Sequence, residues 1–198
     1  LIILNTRTLE DDTRYLDTLA HEGYPGHMYH YQYIRTLIEK TGLTGQALDL
    51  TGYYEAWSQS GELFFDSYNL EFSNVYCKFM NANSNLGNLL LPALFSIEVN
   101  YNCATEQDIY NECIEYYGED SAKELAPVYY QYAVENPFYF LKYAMGYTIY
   151  QQEYRKAKDT LGYKLDLTEY HKAFLDLGPT YFNLILPVLD DYIASHKS

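Results

Sequence analysis

The chain has 198 residues, and 48% of them are hydrophobic. This length and this composition are sufficient for one domain with a hydrophobic core. Its formal net charge of −14 argues against binding to nucleic acids and to anionic membrane surfaces, since both require a basic face. The sequence has no apolar run of about 18 residues, so we expect no membrane insertion by this segment.

Hydrophobic periodicity and helix-ending residues predict a mostly α fold, in which an irregular array of helices forms a single domain over residues 1–198. The apolar run Leu1–Asn5 is compatible with one short edge strand at the N-terminus. Asn and Gly residues predict a turn over Asn81–Asn88. The predicted helices are Thr8–Glu22, His27–Lys40, Gly52–Phe79, Leu89–Val99, Thr105–Tyr117, Asp120–Glu135, Phe138–Leu161, Thr168–Leu175 and Tyr181–Ala194.

The first two predicted helices meet at a stretch that is rich in metal-binding side chains. The ten residues His21–His30 contain three of the five histidines of the chain and one glutamate. Histidine is the commonest metal ligand among side chains. A His-Glu pair followed by a second His is also how zinc hydrolases present two ligands and a general base. The stretch therefore indicates a candidate metal site.

The spacing of the two outer histidines of this motif requires a break in the helix. His21 and His27 are six residues apart, which would leave their side chains about 120° apart on a regular helix. Two glycines and a proline lie between them, and proline disfavours helical backbone at the residue before it. We therefore expect a break after Glu22 that redirects His27. From the spacing alone, a helix end followed by a tight turn, with hydrogen-bonded histidines, is an equally good interpretation.

A third histidine lies one turn further along. His30 follows His27 by three residues, so the two side chains can share a helix face. His30 could assist the ligands, act as an auxiliary ligand itself, or be a half-buried surface histidine.

Two glutamates are possible partners for the histidines. Glu55 and Glu62 are seven residues apart in the predicted helix Gly52–Phe79, about two turns, and therefore share a face. A glutamate from a downstream helix can complete a His/His/Glu zinc site that keeps water in the fourth position. From the residues alone, two solvated glutamates on an acidic protein are an adequate alternative.

Several segments resemble one protein family. His21–His27, reading His-Glu-Gly-Tyr-Pro-Gly-His after Thr-Leu-Ala, resembles the motif of the bacterial family called domain of unknown function 885. Gly52–Glu62 is similar to the Glu-Gly-Trp segment of that family, and Tyr139–Tyr147 to its Tyr-x-x-Gly segment. The residues from Asp166 to Pro179 also fit, and the matches follow the family order across nearly the whole chain.

The resemblance implies a zincin-like core in a protein longer than this chain. Members of the family include lipoproteins and peptidases, and the matched segments belong to their C-terminal half. The chain begins at Leu1 without a Met, which agrees with a C-terminal, catalytic-like part. An extracellular or cell-surface location is the corresponding expectation.

The resemblance also implies a set of roles for the candidate residues. His21, His27 and Glu55 would be the ligands of Zn²⁺, with water in the open position. Glu22 would be the general base that activates this water towards a peptide carbonyl. The expected function is that of a zinc metallopeptidase with a peptide substrate.

Two further positions match family segments that would stabilise the oxyanion. Tyr143 holds the family position of a tyrosine, and Asn100 stands where the family usually has His. Ser96 likewise replaces the usual Asp, so the chain departs from the family at two sites. These departures favour an alternative, a non-catalytic relative that binds a peptide or a partner, with or without the metal.

Overall fold

The computed structural model describes residues 18–42, 50–67 and 85–197, and these residues are helical almost throughout. None of them forms a strand, which confirms the mostly α fold. The possible strand Leu1–Asn5 and most of the predicted helix Thr8–Glu22 lie outside the described residues. Within the described ranges, no helix combines the length and the hydrophobicity that crossing a membrane requires.

The helices are numbered in chain order over the described residues. The described part of helix α1 covers residues 18–22, and a turn of π-helix, Leu86–Leu90, leads directly into α4. The other helices are α2 (His27–Thr41), α3 (Thr51–Ser67), α4 (Leu91–Asn100), α5 (Glu106–Tyr117), α6 (Glu119–Glu135), α7 (Tyr139–Leu161), α8 (Leu167–Leu175) and α9 (Phe182–His196).

Several helix ends follow from capping residues in the sequence. The side chain of Thr105 accepts a hydrogen bond from the backbone N–H of Asp108, and the Asp108 carboxylate accepts one from the backbone of Thr105. This capping box starts α5 where the sequence predicted it. Gly42 ends α2 in the left-handed conformation, with φ of 70°, and donates its N–H to Ile38.

The predicted turn Asn81–Asn88 is wrong over its described residues, because residues 85–90 are helical. Tertiary contacts stabilise this segment. The hydroxyl of Tyr129 donates a hydrogen bond of 2.9 Å to the carbonyl of Gly87. A Cβ atom at Gly87 would lie 2.9 Å from the hydroxyl of Tyr117, so glycine is suited to this close packing. Local turn propensity therefore yields here to packing.

The chain divides into two compact units, and one of the two boundaries falls within α7. The first unit is Leu1–Lys78 with Gly146–Ser198, and the second is Phe79–Met145. The single domain expected from the sequence stays a prediction.

The core of the first unit is rich in aromatic side chains. In it, α3 and α7 approach closely where Gly146 lies against Gly52, since a Cβ atom at Gly146 would be only 2.1 Å from the Gly52 carbonyl oxygen. Buried tyrosine, tryptophan and phenylalanine rings from α3, α7 and α8 pack in one cluster in this unit. These residues are Tyr53, Trp57, Tyr150, Tyr170 and Phe174.

The second unit has a smaller and more aliphatic core. Phe95 of α4 packs with Ile109 and Cys113 of α5, and all three are fully buried. Ala122 and Ala126 of α6 are buried against them, and their small side chains suit the close packing of α5 and α6.

Candidate metal centre

The helix breaks after Glu22, as the sequence predicted. Residues 23–26 form a turn, and His27 is the first residue of α2. The N–H of Gly26 donates a hydrogen bond of 2.8 Å to the carbonyl of Ala20. A Cβ atom at Gly26 would lie 1.7 Å from the carbonyl oxygen of His21, so only glycine permits this contact. The turn thus places His27 beside His21.

Helix α3 packs against this turn and fixes its position. The indole of Trp57 donates a hydrogen bond of 2.8 Å to the carbonyl oxygen of Pro25. An added Cβ atom at Gly61 would lie 3.4 Å from the ring of Pro25, an ordinary contact distance. The peptide bond between Tyr24 and Pro25 is cis. These contacts bring the histidines of the turn to one face of α3.

The structure brings together the three residues that were predicted as metal ligands. Nε2 of His21 lies 3.5 Å from one carboxylate oxygen of Glu55, and Nε2 of His27 lies 3.5 Å from the other. One ligand atom from each residue lies within 4.8 Å of the other two. Tetrahedral zinc with bonds of about 2.0–2.1 Å separates its ligand atoms by about 3.4 Å. The donor set and its spacing therefore fit a metal ion.

The other nitrogen of each imidazole is held by a side chain of α3. Nδ1 of His21 donates a hydrogen bond of 2.8 Å to the carboxylate of Glu62. Nδ1 of His27 is hydrogen-bonded to the hydroxyl of the buried Ser58 at 2.8 Å. These bonds leave both Nε2 atoms directed at Glu55, which is how metal-binding histidines are oriented by their neighbours.

Sequence reasoning grouped Glu62 with Glu55 on one helix face but missed its role as a partner of His21, and it missed Ser58 altogether. A signal was present, because Glu55, Ser58 and Glu62 stand at positions i, i+3 and i+7 of one helix. This spacing places three polar side chains on a single face of α3.

Without a cation, the carboxylates attract protons to the histidines. Burial lowers the pKa of His21, but hydrogen bonds and the charges of Glu55 and Glu62 outweigh it and raise this pKa to about 9. Burial likewise raises the pKa of Glu55, yet His21 and His27 together lower it to about 2. The carboxylates of Glu55 and Glu62 therefore give the cluster a negative electrostatic potential, which favours binding of a cation.

The predicted general base, Glu22, is exposed at the end of α1, directly after His21. Burial and the charges of Glu55 and Glu22 raise the pKa of the Tyr31 phenol. The ring of Tyr31 also stacks on His27, with 5.8 Å between ring centroids. The charges of Glu22 and Glu55 therefore both act on the phenol of Tyr31, which is exposed. The role of Glu22 as a base stays a prediction.

His30 occupies a different environment from the one expected. It is fully buried rather than half-buried at the surface, and it is not a member of the ligand group. Its ring packs among those of Tyr53, Tyr54 and Trp57, at centroid distances of 5.0, 5.4 and 5.7 Å. Its nitrogens find no hydrogen-bond partner among the described residues. Burial and the charge of His27 lower its pKa to about 3.

The two residues predicted to stabilise an oxyanion, Asn100 and Tyr143, both belong to the second unit. The side-chain amide of Asn100 donates hydrogen bonds of 2.9 Å to the carbonyls of Ser96 and Ala133. The first of these bonds lies within α4, and the second joins α4 to α6. The Tyr143 hydroxyl is hydrogen-bonded to that of Tyr139 at 3.1 Å. The catalytic roles of Asn100 and Tyr143 stay predictions.

Comparisons with known proteins do not assign this chain to a family. No protein-family model, no curated protein and no solved structure matches it. The resemblance to the domain of unknown function 885 family therefore depends on the sequence segments quoted above. The convergence of His21, His27 and Glu55 is an independent observation, because it is a property of the fold.

Proposed function

We propose that the protein is a zinc-dependent hydrolase, and that its substrates are peptides. One observation supports this proposal above all: two imidazole Nε2 atoms and a carboxylate converge while both Nδ1 atoms are hydrogen-bonded. Imidazole nitrogen is a common ligand of zinc. Three protein ligands leave a fourth position for water or substrate, which is the arrangement of catalytic zinc sites.

The residues of the cluster have distinct roles in this proposal. When bound, zinc would act as a Lewis acid on the substrate carbonyl and lower the pKa of water. Glu22, beside the ligands and exposed, takes the proton of the attacking water and delivers it to the leaving amine. Glu62 and Ser58 keep His21 and His27 in the orientation that binds the metal.

The exchange Glu22→Gln tests the proposed role of the base. We expect this variant to keep its zinc and to lose at least about a hundredfold in kcat/KM, because the amide cannot accept the proton. The measurement is hydrolysis of a panel of quenched fluorescent peptides, with metal content determined on the same samples. Glu124→Gln, an exposed glutamate on α6, is the matched control. Unchanged hydrolysis in Glu22→Gln would exclude the mechanism.

A second function is favoured by the hydrogen bonds of Asn100. Because both N–H groups of this amide are used within the second unit, a protein that binds peptides without cleaving them is the alternative. It would show stoichiometric metal and peptide binding, yet no cleavage in the wild-type protein.

A further inference from the structure

A cavity in the first unit lies directly beside the candidate metal centre. Its volume is about 380 Å³, and it lies between α2 and the segment that follows α8. Aliphatic side chains form half of its lining, and they come from Ile34, Leu37, Ile38, Leu177 and Pro179. A volume near the lower end of the range for ligand pockets suits one or two side chains better than a long stretch of peptide.

Two aromatic rings connect this cavity to the ligand cluster. Tyr31 and Tyr54 both line the cavity, and their ring centroids are 5.3 Å apart. The ring of Tyr31 also stacks on the imidazole of His27. Tyr54 directly precedes the ligand Glu55 in α3. A group inside the cavity would therefore be separated from the metal ligands by a single layer of rings.

The chemistry of the walls selects for uncharged, apolar groups. Of the described residues that line the cavity, none is acidic, although the chain as a whole is strongly so. Its charged lining residue, Arg35, is 74% exposed at the side chain and pairs with Glu39 at 3.1 Å. A charged substrate side chain would lose its hydration among these walls without gaining a buried partner. An apolar one would gain from leaving water.

We infer that this cavity is a substrate pocket that binds a large aliphatic or aromatic side chain next to the scissile bond. This assignment rests on the proposed function, since only a hydrolase has a scissile bond to place. The binding preference itself does not depend on catalysis and can be measured separately.

Substrate selectivity is the first part of the test. Peptides with Leu, Phe, Ala or Asp at each position flanking the cleaved bond are compared by kcat/KM. We expect Leu or Phe to exceed Ala by about tenfold or more at one of the two positions, and Asp to be the poorest. In Ile38→Phe, which fills the cavity, this ratio should fall towards one. Thr180→Trp obstructs the cavity from the opposite wall and should act alike.

A matched control places the same ring on the same helix. Gln32 is an exposed residue of α2 that does not line this cavity. Gln32→Phe should keep the wild-type ratio. If Ile38→Phe and Thr180→Trp also keep it while remaining folded by circular dichroism, the cavity does not select the substrate and the inference is wrong.

Binding of a small probe separates this inference from the proposed function. The full chain is titrated with N-acetyl-phenylalanine amide in the presence of a chelator, and binding is followed by NMR chemical shifts. We expect saturable binding, at least about tenfold weaker binding of N-acetyl-alanine amide, and loss of binding in Ile38→Phe but not in Gln32→Phe. This pattern without any peptide hydrolysis would leave the apolar pocket standing and reject the hydrolase. No probe binding to the wild-type protein would overturn the pocket.

Discussion

The three histidines of the stretch His21–His30 lie in two different environments, and helix α3 accounts for the difference. His21 and His27 face its polar side, where Glu55, Ser58 and Glu62 provide charges and hydrogen bonds. His30 faces its aromatic side and is buried among rings. The pKa of His21 accordingly rises to about 9, while that of His30 falls to about 3. The partner helix, more than the spacing along the chain, decides which histidine can bind a metal.

The largest effect should come from disrupting the turn that brings His21 and His27 together. Gly26→Ala would place a Cβ atom 1.7 Å from the His21 carbonyl oxygen, so the turn must move. We expect the free energy of unfolding to fall by more than about 3 kcal/mol and metal binding to be lost.

Gly61→Ala is the control for this change, because its added Cβ atom meets its neighbours at ordinary distances. Since alanine also favours a helix interior, the free energy of unfolding of Gly61→Ala should stay within about 1 kcal/mol of the wild-type value. Urea unfolding and zinc titration measure both properties. Equal behaviour of the two variants would show that the turn does not position the histidines.

An intermediate effect should come from the residues that orient the imidazoles. Glu62→Gln weakens the hydrogen bond to Nδ1 of His21, and Ser58→Ala removes the one to Nδ1 of His27. We expect about 10–100-fold weaker zinc binding in each variant. Ser60→Ala is the control on the same helix, since Ser60 bonds Ala56 and Gln151 instead. It should reduce stability but leave zinc affinity unchanged. Competition with a chromophoric chelator measures the affinity.

The smallest effect should come from the titration of His30, which faces the aromatic side of α3. Because the folded-state pKa of His30 lies near 3 and an unfolded histidine titrates near 6.5, the unfolded chain binds more protons between these values. The contribution of His30 to stability is therefore complete above about pH 6.5 and is lost as the pH falls towards 3. Going from pH 7 to pH 5 should cost about 2 kcal/mol at this site.

In His30→Phe, the loss of stability between pH 7 and pH 5 should be smaller by about this amount, because a phenyl ring does not titrate. Urea unfolding at pH 7 and pH 5, with a chelator present, gives the difference for each protein. Thr36→Val, on the same helix, is the neutral control. An undiminished loss in His30→Phe would mean that His30 takes up protons in the folded protein too.

Helices and their ends were largely predictable from the sequence, because capping is local. Thr105 with Asp108 starts α5, and Gly42 ends α2, as the residue types indicated. The break between His21 and His27 was predictable for the same reason, from proline and glycine. The helical residues 85–90 were not, since contacts with Tyr117 and Tyr129 stabilise them from elsewhere in the second unit.

The candidate site was predictable only in part. His21 and His27 followed from residue type and spacing, whereas Glu55 required the family resemblance, because a glutamate on an acidic surface is common. The burial of His30 depends on which face of α3 it meets, and helical periodicity alone does not give the rotation of one helix against another. The partnership of Ser58 with His27 depends on the same rotation.

The most direct test of the metal centre is the zinc content of the purified chain, wild type and Glu55→Ala, after dialysis against dilute zinc. We predict one ion per wild-type chain and loss of most of it in Glu55→Ala. His30→Phe, outside the ligand group, should keep its ion. A wild-type chain without zinc, or a Glu55→Ala variant that retains it fully, would contradict the proposal.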